Sequence, residues 1–135
     1  MTKEVGRTAD AGWQIGVSRT LSHPATTVWE FLTSEAGAAV WLGAAVPGGK
    51  GERYETADGT VGEVRSLREL DRIRLTWRPK DWDHDSTVQV TVSPSSDGTV
   101  VRFHQEWLAG PEERARQREH WKGVVDRVAD ALTNR

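Results

Sequence analysis

The first third of the chain changes from an alternating pattern to a helical one. Alternation with a period of two predicts a strand over residues 13–21. One side of this strand would carry Trp13, Ile15, Val17, Arg19 and Leu21. Pro24 then suits a first helical turn, and Val28, Phe31 and Leu32 recur at steps of three and four. A second short helix is expected at residues 38–42.

The middle of the chain alternates repeatedly and is interrupted by turn signals. Further strands are predicted over residues 51–56, 60–67, 72–77, 86–92 and 99–108. Asp58-Gly59 precedes the second of these strands and Asp97-Gly98 precedes the last. Because Asp-Gly between alternating runs is a strong hairpin signal, the pattern predicts an antiparallel meander.

A long helix is predicted for the last 25 residues. Pro111 opens it, and Glu112 and Glu113 lie at the positive end of its dipole. Its apolar stripe consists of Trp121, Val124, Val125, Val128 and Leu132. Residues 112–120 are mostly charged, so burial is expected only in the second half.

Composition limits the class of protein. The 135 residues predict one domain over residues 12–135, after a flexible N-terminal arm at residues 1–11. A net charge of -2 gives no basic surface for nucleic acid. Without cysteine, an apolar leader or an apolar run of membrane-spanning length, we expect a cytoplasmic protein with no membrane partner. Seven tryptophans suggest an aromatic core or pocket.

The order of elements resembles a known superfamily. The segments that carry this resemblance are VSRTLSHPATTVWEFLT, Trp41, DGTVGEVRSLRELDRIRLTW, TVVRFHQEWL and HWKGVVDRVADAL. They resemble the SRPBCC or START-like superfamily, and within it the family of activators of heat-shock protein 90 ATPase. The resemblance implies an α+β helix-grip fold. In that fold two short helices follow the first strand, and a curved antiparallel β-sheet wraps around a long C-terminal α-helix.

Other motifs predict neither a metal site nor a catalytic site. In DWDHD, Asp81, Asp83 and Asp85 have the spacing of calcium ligands, but Ser86 and Val92 replace the glycine and glutamate that such a loop needs. We therefore interpret this segment as a hairpin tip. The four histidines lack metal-ligand spacing, and no G-x-S-x-G elbow exposes a nucleophile. We predict no cofactor, no metal and no catalytic residue.

A cavity between the sheet and the last helix is the remaining candidate site. Alternation places Phe103, Gln105 and Trp107 on one face of the last strand, and the first strand is its neighbour in the resembling fold. Arg19 and Gln105 would then point inward as polar anchors, unless Arg19 pairs with a carboxylate such as Glu30 or Glu35 or reaches out at the sheet edge. The predicted cavity residues are Arg19, Trp41, Tyr54, Trp77, Trp82, Val90, Phe103, Gln105, Trp121 and Val125. For Trp82, closing the mouth and packing on the sheet surface remain equal alternatives.

Three functions fit these patterns. The first is non-catalytic binding of a small hydrophobic or amphipathic molecule in an enclosed cavity of about 300 to 1,000 Å³. The second, implied by the resemblance, is an interaction with a chaperone ATPase or another protein in a stress response, which an exposed apolar patch would favour. The third is a cyclase- or hydratase-type enzyme, which the lack of inward carboxylates and histidines disfavours. A monomer or a homodimer is expected.

Overall fold

The computed structural model describes residues 7–8 and 12–134. Its elements are β1 (Arg7–Thr8), β2 (Gly12–Leu21), α1 (Ala25–Thr33), α2 (Glu35–Trp41), β3 (Arg53–Glu55), β4 (Val61–Arg68), β5 (Arg72–Trp77), β6 (Ser86–Ser95), β7 (Gly98–Leu108) and α3 (Pro111–Thr133). Most of the predicted N-terminal arm lies outside the described residues, so its flexibility stays a prediction.

The strands form one curved antiparallel sheet around the last helix. Their order is β1-β2-β7-β6-β5-β4-β3, so the long strands at the two ends of the chain, β2 and β7, are neighbours. The inner face carries aliphatic residues with no solvent exposure, among them Ile73, Leu75, Val88 and Val90. These side chains pack with α3, α1 and α2 into one core. The predicted α+β helix-grip arrangement is confirmed.

The two short helices meet at Ser34. Val28, Trp29, Phe31 and Leu32 form the buried face of α1. The Ser34 hydroxyl accepts a hydrogen bond from the Gly37 N–H at 3.0 Å, which caps the next helix. For this reason α2 begins at Glu35, three residues earlier than the apolar pattern predicts.

The first half of α3 is more buried than its charge predicts. Trp121, Val124, Val125 and Val128 form the expected apolar stripe, but Glu113 and Gln117 are buried as well. The expectation that only the second half is buried is therefore wrong at these two residues, while the other residues up to His120 are exposed or partly exposed. Polar residues are tolerated there because each has hydrogen-bond partners in the strands or loops that it faces.

A β-bulge near the end of β7 changes which residue of this strand points toward the core. Between the pairs Ile15–Gln105 and Trp13–Leu108, β7 has one residue more than β2. Trp107 lies in this bulge with φ 64°, and its side chain packs on Gly12 while remaining 47% exposed. The prediction that Trp107 points inward was therefore wrong, because the extra residue turns Leu108 toward the core instead.

Candidate ligand-binding cleft

Aromatic rings fill the middle of the space between sheet and helix. The rings of Phe103 and Trp121 stack with centroids 5.1 Å apart, and Trp41 lies 6.1 Å from Phe103. Val90 and Val125 are buried among the same core residues. This part of the expected cavity is therefore filled by packed side chains.

A hydrogen-bonded chain of polar groups crosses this packed region. Oε1 of Gln105 accepts hydrogen bonds from Nε1 of Trp121 at 2.8 Å and from Nε2 of Gln117 at 3.0 Å. Nε2 of Gln105 donates to the Ser86 hydroxyl at 2.9 Å, and this hydroxyl donates to the Trp77 carbonyl at 2.6 Å. Gln105 has no solvent exposure. Its hydrogen-bonding groups are therefore engaged by protein rather than free for a ligand.

A cleft opens beside this packed centre, between the end of α2, the β3–β4 turn, the end of β5 and the middle of α3. Its volume is about 320 Å³. Trp41 and Trp77, two of the predicted cavity residues, form part of its wall. Its full lining is Ala39, Val40, Trp41, Leu42, Gly43, Thr56, Ala57, Asp58, Thr60, Trp77 and His120.

The β3–β4 turn gives the cleft a negatively charged wall. The Thr56 hydroxyl and the Thr60 N–H both donate to Oδ1 of Asp58, and the Thr60 N–H also donates to the Thr56 hydroxyl at 3.0 Å. The hydrogen bond from Thr56 is the main cause that lowers the pKa of Asp58. Asp58 is exposed, and it carries its charge throughout the neutral pH range.

His120 completes the opposite side of the cleft. Its ring lies 5.8 Å from the ring of Trp77 and 4.7 Å from that of Trp121. These contacts remove part of the imidazole from water, which lowers the pKa of His120, and Arg127 adds to this effect. The imidazole is therefore neutral near pH 7.

Trp82 and His84 fold the β5–β6 loop back onto the start of α3. The Trp82 ring makes an edge contact with Trp77 at 5.4 Å and stacks on His84 at 4.7 Å. Nε2 of His84 lies 2.9 Å from Oε1 of Glu113. Trp82 is half-buried beside the cleft, and it is not one of the lining residues. Asp81, Asp83 and Asp85 are exposed in the same loop.

Two other predicted cavity residues have different surroundings. The Arg19 side chain is 46% exposed, and Nη1 forms an ion pair of 2.8 Å with Asp126 on α3. Arg19 therefore makes its ion pair outside the cleft, and its partner is neither Glu30 nor Glu35. Tyr54 is buried, and its hydroxyl donates to the Thr76 carbonyl at 2.6 Å. Burial raises the pKa of Tyr54.

The polar residues of the cleft were not among the predicted cavity residues. Asp58 was interpreted only as a turn residue, and His120 only as one of four histidines without metal-ligand spacing. A usable signal is present, because Thr56, Asp58 and Thr60 surround a hairpin turn and His120 precedes the buried Trp121. What the sequence does not show is that the turn and the helix face each other.

No group of three His, Asp or Glu side chains in the described ranges is arranged to hold a metal ion. None of the helices in those ranges has the length and apolar character needed to cross a membrane.

These features define the class of the protein. A curved antiparallel sheet gripping a C-terminal helix, with two short helices after the first long strand, is the arrangement of the SRPBCC or START-like superfamily. Within this class, the family described as activator of Hsp90 ATPase homolog 1-like protein matches residues 22–133. The chain belongs to this family. No curated protein matches the chain by sequence.

Solved structures share the fold at low sequence identity. DynU16, from the dynemicin biosynthetic locus, is 23% identical with a TM-score of 0.77. The alignment covers 89% of this chain, which spans 47% of DynU16. MLL2253 from Mesorhizobium loti is 21% identical with a TM-score of 0.72, covering 90% of this chain and 97% of that protein. The Aha1 dimer from Colwellia psychrerythraea is 16% identical with a TM-score of 0.72, covering 88% and 95%.

Proposed function

We propose that this protein binds a small amphipathic molecule in the cleft and does not transform it. The observation that carries this proposal is the cleft of about 320 Å³, which has indole walls and polar groups at its rim. Ligand sites combine apolar walls with a few polar groups that fix orientation. Trp41 and Trp77 supply the walls here, while Asp58 and His120 supply the polar groups.

The titratable groups of the cleft favour binding over catalysis. A general acid or base works best with a pKa near the operating pH. The pKa of Asp58 is lowered from an already acidic value, and the pKa of His120 is lowered as well. Both shifts move the pKa away from the neutral range, so neither group is tuned as a general acid for pH 7, and we propose binding rather than catalysis.

Blocking the cleft tests the proposal. Ala39 lines the cleft from α2 and is exposed, so Ala39→Phe adds a ring to the cleft without opening the core. We expect the affinity for flat aromatic molecules such as 2-naphthalenemethanol to fall about ten-fold or more. Isothermal titration calorimetry measures the change, and ligand-observed NMR provides an independent readout.

Ala36→Phe is the matched control. Ala36 is exposed on the same helix but does not line the cleft, so this variant should bind like the unmodified protein. Equal affinities of the two variants and the unmodified protein would contradict binding in this cleft. A complete lack of binding by the unmodified protein, across a panel of neutral, cationic and anionic aromatic compounds, would contradict the proposed function itself.

A protein partner remains the second hypothesis, suggested by the family description. The large exposed apolar side chains of the described residues are Leu67, Leu70 and Trp107. The leucines lie at the β4–β5 turn, and Trp107 lies at the opposite end of the strands, so they do not form one continuous patch. The chaperone interaction therefore stays a prediction. The same holds for the stress response, the cytoplasmic location and the oligomeric state.

A further inference from the structure

We infer that the cleft selects cationic amphiphiles, with a flat apolar group against Trp41 and Trp77 and an ammonium group beside Asp58. This inference rests on the proposed function and adds the charge of the ligand to it. Three features of the described residues lead to it: a carboxylate that forms no ion pair, a neutral imidazole nearby and indole walls.

The carboxylate of Asp58 forms no ion pair with another described residue, and its charge acts to raise the pKa of His120 against the larger effects of burial and Arg127. The groups that hold it are the Thr56 hydroxyl and groups of Thr60, all within its own turn. Among the described residues, no ion pair reaches Asp58. Its hydrogen bonds fix the carboxylate in place and leave its negative charge uncompensated by a cation. A ligand ammonium group would supply that missing partner.

The other charged groups near the cleft determine how strong the selectivity can be. His120 is neutral near pH 7, so it does not repel a bound cation. The stem of Lys80 packs against Gly59, and Arg127 lies close enough to lower the pKa of His120. These two cations weaken the field of Asp58, and its exposure allows salt to screen it. We therefore expect a modest selectivity.

Three compounds of similar shape separate charge from hydrophobic contact. They are 2-naphthylmethylammonium, 2-naphthalenemethanol and 2-naphthoate, titrated by calorimetry near neutral pH and at low salt. We expect the ammonium compound to bind about five-fold more tightly than the alcohol and about ten-fold more tightly than the carboxylate. Raising the salt concentration should reduce this difference in the unmodified protein, which tests the charge effect without any substitution.

Asp58→Asn removes the charge and keeps an acceptor for the turn. In this variant the ammonium compound should lose its advantage over the alcohol, so that the ratio of the two affinities falls to about one. Asp97→Asn is the matched control, because Asp97 is also followed by glycine in a hairpin turn and is exposed, but does not line the cleft. It changes the net charge equally and should leave the preference for the ammonium compound intact.

The outcomes separate this inference from the proposed function. Equal binding of the three compounds, or an equal loss of preference in Asp58→Asn and Asp97→Asn, overturns the charge selectivity and leaves the binding function standing. A preference that does not respond to salt also overturns it. If the unmodified protein binds none of the three compounds, both the proposed function and the inference fail.

Discussion

Two groups of polar side chains lie close to Trp77 and Trp121, and they differ in what completes their hydrogen bonds. The inner group consists of Ser86, Gln105 and Gln117, all buried and joined to one another. The rim group contains Asp58 and His120, which face the cleft and remain accessible to solvent. Protein atoms engage the inner group, whereas the rim group retains charge and exposed hydrogen-bonding surface.

The difference shows why an inward polar residue does not by itself mark a binding site. A buried polar group costs free energy unless it has a partner, so a protein that buries glutamine normally supplies that partner from its own chain. Gln105 is such a case. Polar groups at the rim of a cleft need fewer protein partners, because water completes their hydrogen bonds. A ligand can replace that water.

Gln105→Leu should have the largest effect on stability. The substitution leaves the Trp121 N–H and the Gln117 amide without their acceptor in a region closed to solvent. We expect the free energy of unfolding to fall by about 2 to 4 kcal/mol. Chemical denaturation monitored by circular dichroism measures this change.

Gln89→Leu is the control for that substitution. Gln89 lies on the neighbouring strand β6, is partly exposed and makes one hydrogen bond of 3.3 Å with Arg74. Its replacement should cost less than about 1 kcal/mol. If both substitutions cost the same, the inner network would not differ energetically from an ordinary surface contact. Asp58→Asn should leave the stability close to that of the unmodified protein, which separates the rim from the inner group.

Replacing His84 should lower the stability by less than Gln105→Leu does, and by an amount that depends on pH. Partial burial acts to lower the pKa of His84, but the hydrogen bond to Glu113, the Asp85 carbonyl and the charge of Asp83 outweigh it, so the net pKa is raised. The resulting stabilisation is present below the unfolded pKa of about 6.5 and is lost as the pH rises through the folded pKa. His84→Gln should therefore cost about 1 kcal/mol near pH 5.5 and less near pH 8.

His104 should show the opposite pH dependence, because its pKa is lowered rather than raised. Burial is the main cause that lowers the pKa of His104; Arg102 and Arg74 lower it further, and Glu106 acts against them. Its stabilisation is present above about pH 6.5 and is lost as the pH falls through the folded pKa. The cost of His104→Gln should therefore shrink at acidic pH. Denaturation curves of both variants at acidic and alkaline pH check the two directions of change. If the free energy of unfolding of both variants changed with pH in the same direction, the opposite pKa shifts of His84 and His104 would be contradicted.

The sequence predicts the fold better than the site, and the reasons are physical. Periodicity and Asp-Gly turns depend on neighbours along the chain, so β5 is predicted at both of its ends, Arg72 and Trp77. Where alternation is broken by a tertiary feature, the prediction fails. The bulge at Trp107 has no local signal that outweighs the regular pattern of β7.

The candidate site depends on contacts between distant segments. Trp41 and Trp77 were predicted because large aromatic residues are recognisable as walls from the sequence. Asp58 and His120 were not predicted, since turn residues and histidines on a charged helix are common on any surface. Arg19 was assigned an inward direction by alternation, but alternation cannot show that Asp126 lies within reach of its side chain.

Removing the Arg19–Asp126 ion pair should have the smallest effect on stability. It tests whether the difference between the inner and the rim group extends to polar residues outside the cleft. Both side chains are largely exposed, at 46% and 64%, so their attraction is screened by water and salt. A double-mutant cycle of Arg19→Ala and Asp126→Ala should give a coupling of about 0.5 kcal/mol or less, decreasing as salt is added. Neither substitution should change the affinity for 2-naphthylmethylammonium, because neither residue lines the cleft. A loss of affinity in Arg19→Ala would instead make this residue a ligand anchor, and would place part of the binding site beyond the rim formed by Asp58 and His120.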